Sequence, residues 1–139
     1  MRRPPTSPPR KRKPVPFAFL LEALAPLDPE VRPMFGGHCV YIGDKAVFML
    51  REKPAAPGNP QPDNGVWLIF EDAFDTSPDP AALHHRFPSL RPIQLLDGKI
   101  KHWMVLPSDA ADFESSVLTA CELLLARDPR LGRIPMSRR

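Results

Sequence analysis

Apolar and polar positions along this chain fall into short alternating runs separated by Pro- and Gly-rich breaks. The most regular of them lies between Val31 and Leu50. Residues 38–42 and 45–50 are rich in β-branched, aromatic and long apolar side chains, and Gly43-Asp44 between them has the composition of a two-residue primed turn. Alternation places His38, Val40 and Ile42 on one face and Cys39 and Tyr41 on the other; in the return strand Val47 and Met49 oppose Ala46, Phe48 and Leu50. Both faces are substantially apolar. The pattern therefore predicts a hairpin covered by helices on one side and by a loop, a long segment or a second subunit on the other. Gly36-Gly37 ahead of it would let the backbone bend sharply or approach another element closely.

On either side of the hairpin the periodicity changes. Pro16 suits the first turn of a helix in which Phe17, Leu20, Leu21 and Leu24 recur at helical spacing until Ala25-Pro26 stops it; residues 27–30 read as a turn. Residues 51–65 hold four prolines, two glycines and two asparagines, and disorder is the expectation there. Residues 66–70 are a compact apolar strand, the third of a meander. Ser77 and Asp79 suit the start of a helix over residues 80–87, ended by Pro88. Residues 91–96 and 100–106 form a second strand pair around Asp97-Gly98, with Lys101, Trp103 and Val105 facing opposite to Ile100, His102, Met104 and Leu106. Pro92 lacks a ladder donor and belongs at a sheet edge. A long helix capped by Ser108 or Asp109 follows. Its apolar stripe is Phe113, Val117, Ala120, Cys121 and Leu124, with Asp112, Glu114, Ser115, Ser116, Thr119 and Glu122 opposite, and Asp128-Pro129 ends it. The order α-β-β-β-α-β-β-α predicts a two-layer α+β fold with an antiparallel sheet.

Length and charge divide the chain. Its 139 residues and 42% hydrophobic content suit one packed core, expected over residues 16–128 between a disordered Pro-rich arm (1–15) and a flexible basic tail (129–139). Six of the 19 Lys and Arg, namely Arg2, Arg3, Arg10, Lys11, Arg12 and Lys13, lie in the arm without an acid; the other 13 face 16 acidic groups, leaving the body at −3. The arm reads either as a polyanion contact or as a solubilising tail. No apolar run is long enough to span a bilayer or to form a secretory h-region, and Cys39 and Cys121 sit in a predicted strand and a predicted helix, the setting of buried free thiols; the cytoplasm is the expected compartment, although a bridge between the two remains open at this stage.

Sites of chemistry are few. His84-His85 diverge on a helix, His38 and Cys39 point to opposite faces of a strand, and no Cys-x-x-Cys or His-x-x-x-His spacing exists, so neither a metal nor a cofactor is expected. Cys39 with His102 on a neighbouring strand is conceivable as a nucleophile and base, but two core residues explain them better. Gly36-Gly37 precedes no Lys-Ser/Thr and opens no helix, which excludes a phosphate loop. Glu71, Asp72 and Asp75 read as solvated loop carboxylates, and Trp67 and Trp103 as core anchors ahead of base-stacking platforms. Arg32, beside Met34 and Phe35, is the charged residue of most interest for contact with a partner, against the plainer roles of pairing with a carboxylate or covering apolar surface with its stem.

Arg32-Pro-Met34-Phe35-Gly36-Gly37, followed by Tyr41 and a Gly-Asp turn leading to Phe48, resembles the signature of the TfoX N-terminal domain family, whose founding members regulate bacterial competence. Lys101-His-Trp-Met-Val-Leu106 with the helix after it also resembles the carboxy-terminal half of the YjbR-like (MmcQ) family. Together the resemblances imply a secretion-chaperone-like or YjbR-like topology and a non-catalytic regulatory domain acting through macromolecular contact, nucleic acid included. A protein-binding adaptor or chaperone-like homodimer without a DNA role is the alternative.

Overall fold

The computed structural model describes residues 15–34, 36–71, 80–95 and 102–134. In chain order these form helix α1 (Phe19–Ala23), a 3-10 turn (Ala25–Leu27), strands β1 (Glu30–Met34), β2 (Gly37–Ile42), β3 (Lys45–Arg51) and β4 (Gly65–Ile69), helix α2 (Pro80–Arg86), strands β5 (Arg91–Pro92) and β6 (Trp103–Pro107), and helix α3 (Phe113–Leu125). The six strands make one antiparallel sheet in the order β1-β2-β3-β4-β6-β5. The architecture is mixed α+β, and the strand count exceeds the sequence reading by one. Glu30, read there as the end of a turn, and residues 31–34, given no element there, are a strand paired with β2 from Glu30↔Tyr41 to Met34↔Gly37. Pro33 is tolerated because β1 is an edge strand and Pro33 is exposed on it, where a missing donor costs no ladder bond.

The β2–β3 hairpin turns at Gly43, whose φ of +60° suits the first central position of a type II′ turn. Its register slips between Val40↔Phe48 and Tyr41↔Ala46, so Val47 is an extra residue. Val47 accordingly joins Phe48 and Leu50 on one face while Ala46 joins Met49 on the other, correcting the strict alternation read from sequence.

The helices cover one face. Leu20 and Leu24, Leu83 and Phe87, and Val117, Ala120, Cys121 and Leu124 pack on Val40, Phe48, Leu50, Val66, Leu68 and Leu106. α3 starts later than its expected caps: Asp112 occupies the cap position, and its carboxylate accepts from Ser89 Oγ (2.5 Å) and Ser116 Oγ (2.9 Å), with the Ser89 bond the main influence holding its pKa below the ordinary value. Ser116, assigned to the polar stripe, is thereby buried yet satisfied. Cys39 and Cys121 are both free and buried, in the clusters on opposite faces of the sheet.

Two segments expected to be loose are tied down. Within residues 52–64, Asn64 Oδ1 accepts from Lys53 N (2.9 Å) while its Nδ2 donates to Lys53 O (2.8 Å), so one side chain replaces a pair of ladder bonds. At the carboxy-terminal side, Leu131 is buried and bridges Phe70, and Arg133 bridges Ala46, which removes residues 130–133 from the expected flexible tail. β5 and β6 pair antiparallel as expected, though only over Arg91↔Val105 and Pro92↔Met104. The Asp97-Gly98 turn, the Ser77 and Asp79 helix start, Phe35 and residues 1–14 lie outside the described residues.

Candidate functional site

The paired glycines answer to close approach. Gly36 has φ +76°, and a Cβ there would lie 2.6 Å from Lys53 Nζ; a Cβ on Gly37 would lie 2.4 Å from the Leu50 carbonyl oxygen. Gly37 thus lets β2 lie close beside Leu50 of β3 in the sheet, and the tip of the Lys53 side chain rests on Gly36. A cavity of about 220 Å³ opens there, lined by Pro16, Gly36, Gly37, His38, Glu52 and Lys53. His38 Nδ1 is buried without a hydrogen-bond partner. Pro16, next to Val15 where the described residues begin, is part of that lining.

The other motif residues gather on the loop-side face of the sheet. Arg32 Nη2 donates to Glu30 Oε1 and Oε2 (3.0 and 3.2 Å), and its guanidinium carbon stands 5.2 Å from the Tyr41 ring centroid. Met34 packs against the cluster that holds Cys39, Tyr41, Met49, Trp67 and Val105. Burial, partly offset by the Tyr41 hydroxyl at its sulfur and by Arg32, pushes the Cys39 thiol up to about 11. Burial likewise pushes Cys121 to about 12. Both thiols stay protonated at neutral pH, far from the thiolate a nucleophile requires. His102 is held below its ordinary pKa, chiefly by burial and then by the Arg133 charge. Thus Arg32, Met34 and Tyr41 form one group, Gly36 and Gly37 line the cavity, and the basic residues Arg2, Arg3, Arg10, Lys11, Arg12 and Lys13 are outside the described chain.

A second cavity, about 190 Å³, lies on the other side of the same strand end, between Arg51, Gln61, Pro62, Asp63, Gln94 and Leu95. Asp63 is 2% exposed, yet every need of its carboxylate is met: Gln94 N donates to both oxygens (3.0 Å each), Leu95 N to Oδ2 (2.8 Å) and Arg91 Nη1 to Oδ1 (3.3 Å). Its own carbonyl accepts from Trp67 Nε1 (2.8 Å), and Arg91 Nη2 also donates to Pro62 O. None of Arg51, Asp63 or His38 was singled out as a site residue in the sequence; the one cue was Asp63-Asn64 just ahead of a strand-opening Gly65, a composition that favours side-chain-to-backbone bonding.

Among the described residues no group of three or more His, Cys, Asp or Glu is disposed to hold a metal, and no helix is long and apolar enough to cross a membrane. Among the described residues two small cavities lie at residues 51–54, one lined in part by Pro16 and the other by Asp63 and Gln94. Compared with known proteins, the chain matches no family model, no curated protein and no solved structure.

Proposed function

We propose that this chain is a non-catalytic, TfoX-like binding module that engages a polyanion, nucleic acid in the first instance, through the basic arm of residues 1–14, and that it serves a regulatory role in a reducing compartment. The observation that carries the reading is how the folded body spends its arginines. Arg32 pairs with Glu30, Arg91 with Asp63 and Arg130 with Asp128. Arginines already engaged by acids add little net attraction for phosphates. The six arm cations have no acid within their segment, while the other 125 residues carry 13 basic against 16 acidic groups.

Counterion release supplies the test. Four to six phosphate contacts by the arm give a slope of log K against log salt of about −4 to −5. Fluorescence anisotropy with a duplex of arbitrary sequence, run with the full chain and with a full-length variant carrying Gln at all six arm cations, measures that slope. The variant is expected to flatten it and to lose orders of magnitude in affinity at low salt. Equal binding by both chains would move recognition to the body, and absence of binding by either at low salt would eliminate the reading.

A protein-binding adaptor is the second reading, favoured by Leu118 and Leu125. They lie seven positions apart on one side of α3 and are 37% and 39% exposed. Sedimentation of the full chain against a Leu118→Glu/Leu125→Glu variant tests it: a self-association lost in the variant supports the adaptor, and identical monomers argue against a homodimer through this face.

A further inference from the structure

We infer that the cavity at the end of β3 is a binding site for a small organic carboxylate, held by the guanidinium of Arg51. Arg51 lines the cavity, its Nη2 donates to Gln61 Oε1 (3.1 Å), and its Nε is buried with no partner. A guanidinium cannot shed its charge, and a buried donor on a charged group left unmet is among the costlier defects a fold can hold. The acid that lines the same cavity does not relieve it, because both oxygens of Asp63 are committed to Gln94 N, Leu95 N and Arg91. An unmet, permanently charged donor beside a cavity calls for an anionic oxygen from outside the chain.

The walls narrow the class of ligand. One guanidinium provides the positive charge, and Asp63 in the wall opposes a dianion, which selects a monoanion over phosphate. The Gln61 and Gln94 side chains supply neutral amides, while Pro60, Pro62 and Leu95, the last 37% exposed, supply apolar surface. The volume equals that of about six waters in the liquid, room for a short acid with a small apolar tail. A carboxylate accepting from Nε in line with a second donor is the charge-assisted geometry that Arg provides and Lys does not. This site shares no residue with the arm or with the cavity at Gly36-Gly37, so it stands apart from the polyanion reading.

The test follows the Arg51 Nε–Hε resonance in 15N–1H spectra of the full chain during titration with isovalerate, with propionamide and with inorganic phosphate at matched ionic strength. A saturable shift for isovalerate alone, with a dissociation constant in the millimolar range or below, is expected. Arg51→Lys, which keeps the charge and loses Nε, is expected to weaken binding about tenfold or more with the amide resonances of Leu50 and Val66 unchanged. Should that variant fold poorly, the comparison of ligands on the unaltered chain still decides. No saturable shift with isovalerate overturns the inference and leaves Nε served by water; an equal shift with phosphate or propionamide overturns the carboxylate assignment.

Discussion

On one side of the sheet Val40, Phe48, Leu50 and Leu68 meet Leu20, Leu83 and Leu124, and the cover consists of helices whose inward faces are apolar throughout. On the other side Cys39, Met49, Trp67 and Val105 are equally buried, yet the described chain over Trp67 is irregular: Asp63 in the loop after β3 and Ile93 after β5. The first cover is non-directional and gains stability from the area it removes from water. The second is fastened at points. Asp63 joins the loop to the backbone at Gln94 and Leu95 and to Arg91, its carbonyl takes the Trp67 indole, and Asn64 closes the loop on Lys53. A face covered without secondary structure needs its main-chain groups satisfied one by one, and short polar side chains do this.

The difference predicts unlike responses to mutation. The largest effect is expected at Asp63→Ala, which removes a buried carboxylate that holds the Gln94 and Leu95 N–H groups and Arg91 at once and is expected to cost about 3–5 kcal/mol in urea unfolding. Phe48→Ala on the helix side is expected to cost about 3–5 kcal/mol as well, but by opening a cavity. The fluorescence of Trp67 and Trp103, whose rings lie 5.5 Å apart on the loop side, separates the two: it is expected to change in the native baseline of Asp63→Ala and to stay constant in Phe48→Ala. An Asp63→Ala cost under about 1 kcal/mol would end the distinction between the faces. Gly37→Ala drives a Cβ into the Leu50 carbonyl and is expected to cost about 1–3 kcal/mol, whereas Gly43→Ala meets no atom and loses only about 1–2 kcal/mol to its positive φ. Asn64→Ala is expected to cost about 1–2 kcal/mol and to raise hydrogen exchange at Lys53 N selectively.

The two thiols report on the same contrast most gently. Folding raises the pKa of Cys39 from 9.0 to about 11 and of Cys121 from 9.0 to about 12. The native state therefore holds protons that the unfolded chain releases, so the associated stability is complete below pH 9 and is lost as pH rises through 11 for Cys39 and 12 for Cys121. Unfolding titrations above pH 9 are expected to show that decline, flattened in Cys39→Ala and Cys121→Ala. If the point-fastened cover opens more readily than the helical one, Cys39 is labelled faster than Cys121 by a thiol reagent in native buffer, and the reverse order would contradict that view.

Much of the helix side was legible along the chain. The α3 stripe Val117, Ala120, Cys121 and Leu124, the β6 alternation that sets Met104 and Leu106 against Trp103 and Val105, and the Gly43 turn are all local patterns, and each was found in the fold. Local pattern also indicated that something must cover the second face of the β2–β3 hairpin. It misled where a distant partner decides: at residues 30–34, a strand only by pairing with β2; at Val47, turned over by a bulge; and in residues 52–64, whose prolines and polar residues read as disorder. The site was less legible than the fold. Gly36 and Gly37 stood out by composition, yet only the closeness of Leu50 and Lys53 to them explains both glycines, and the joining of Asp63 to Gln94 and Leu95 spans some thirty residues that no periodicity links. The sequence by itself determined which segments alternate, where they turn and which helix faces are apolar, because those properties repeat within a few residues. Tertiary structure alone decided which polar side chains complete the backbone bonding of the loop-side cover and which donor, Arg51 Nε, remains unmet, because those outcomes depend on the groups that folding brings together from distant parts of the chain.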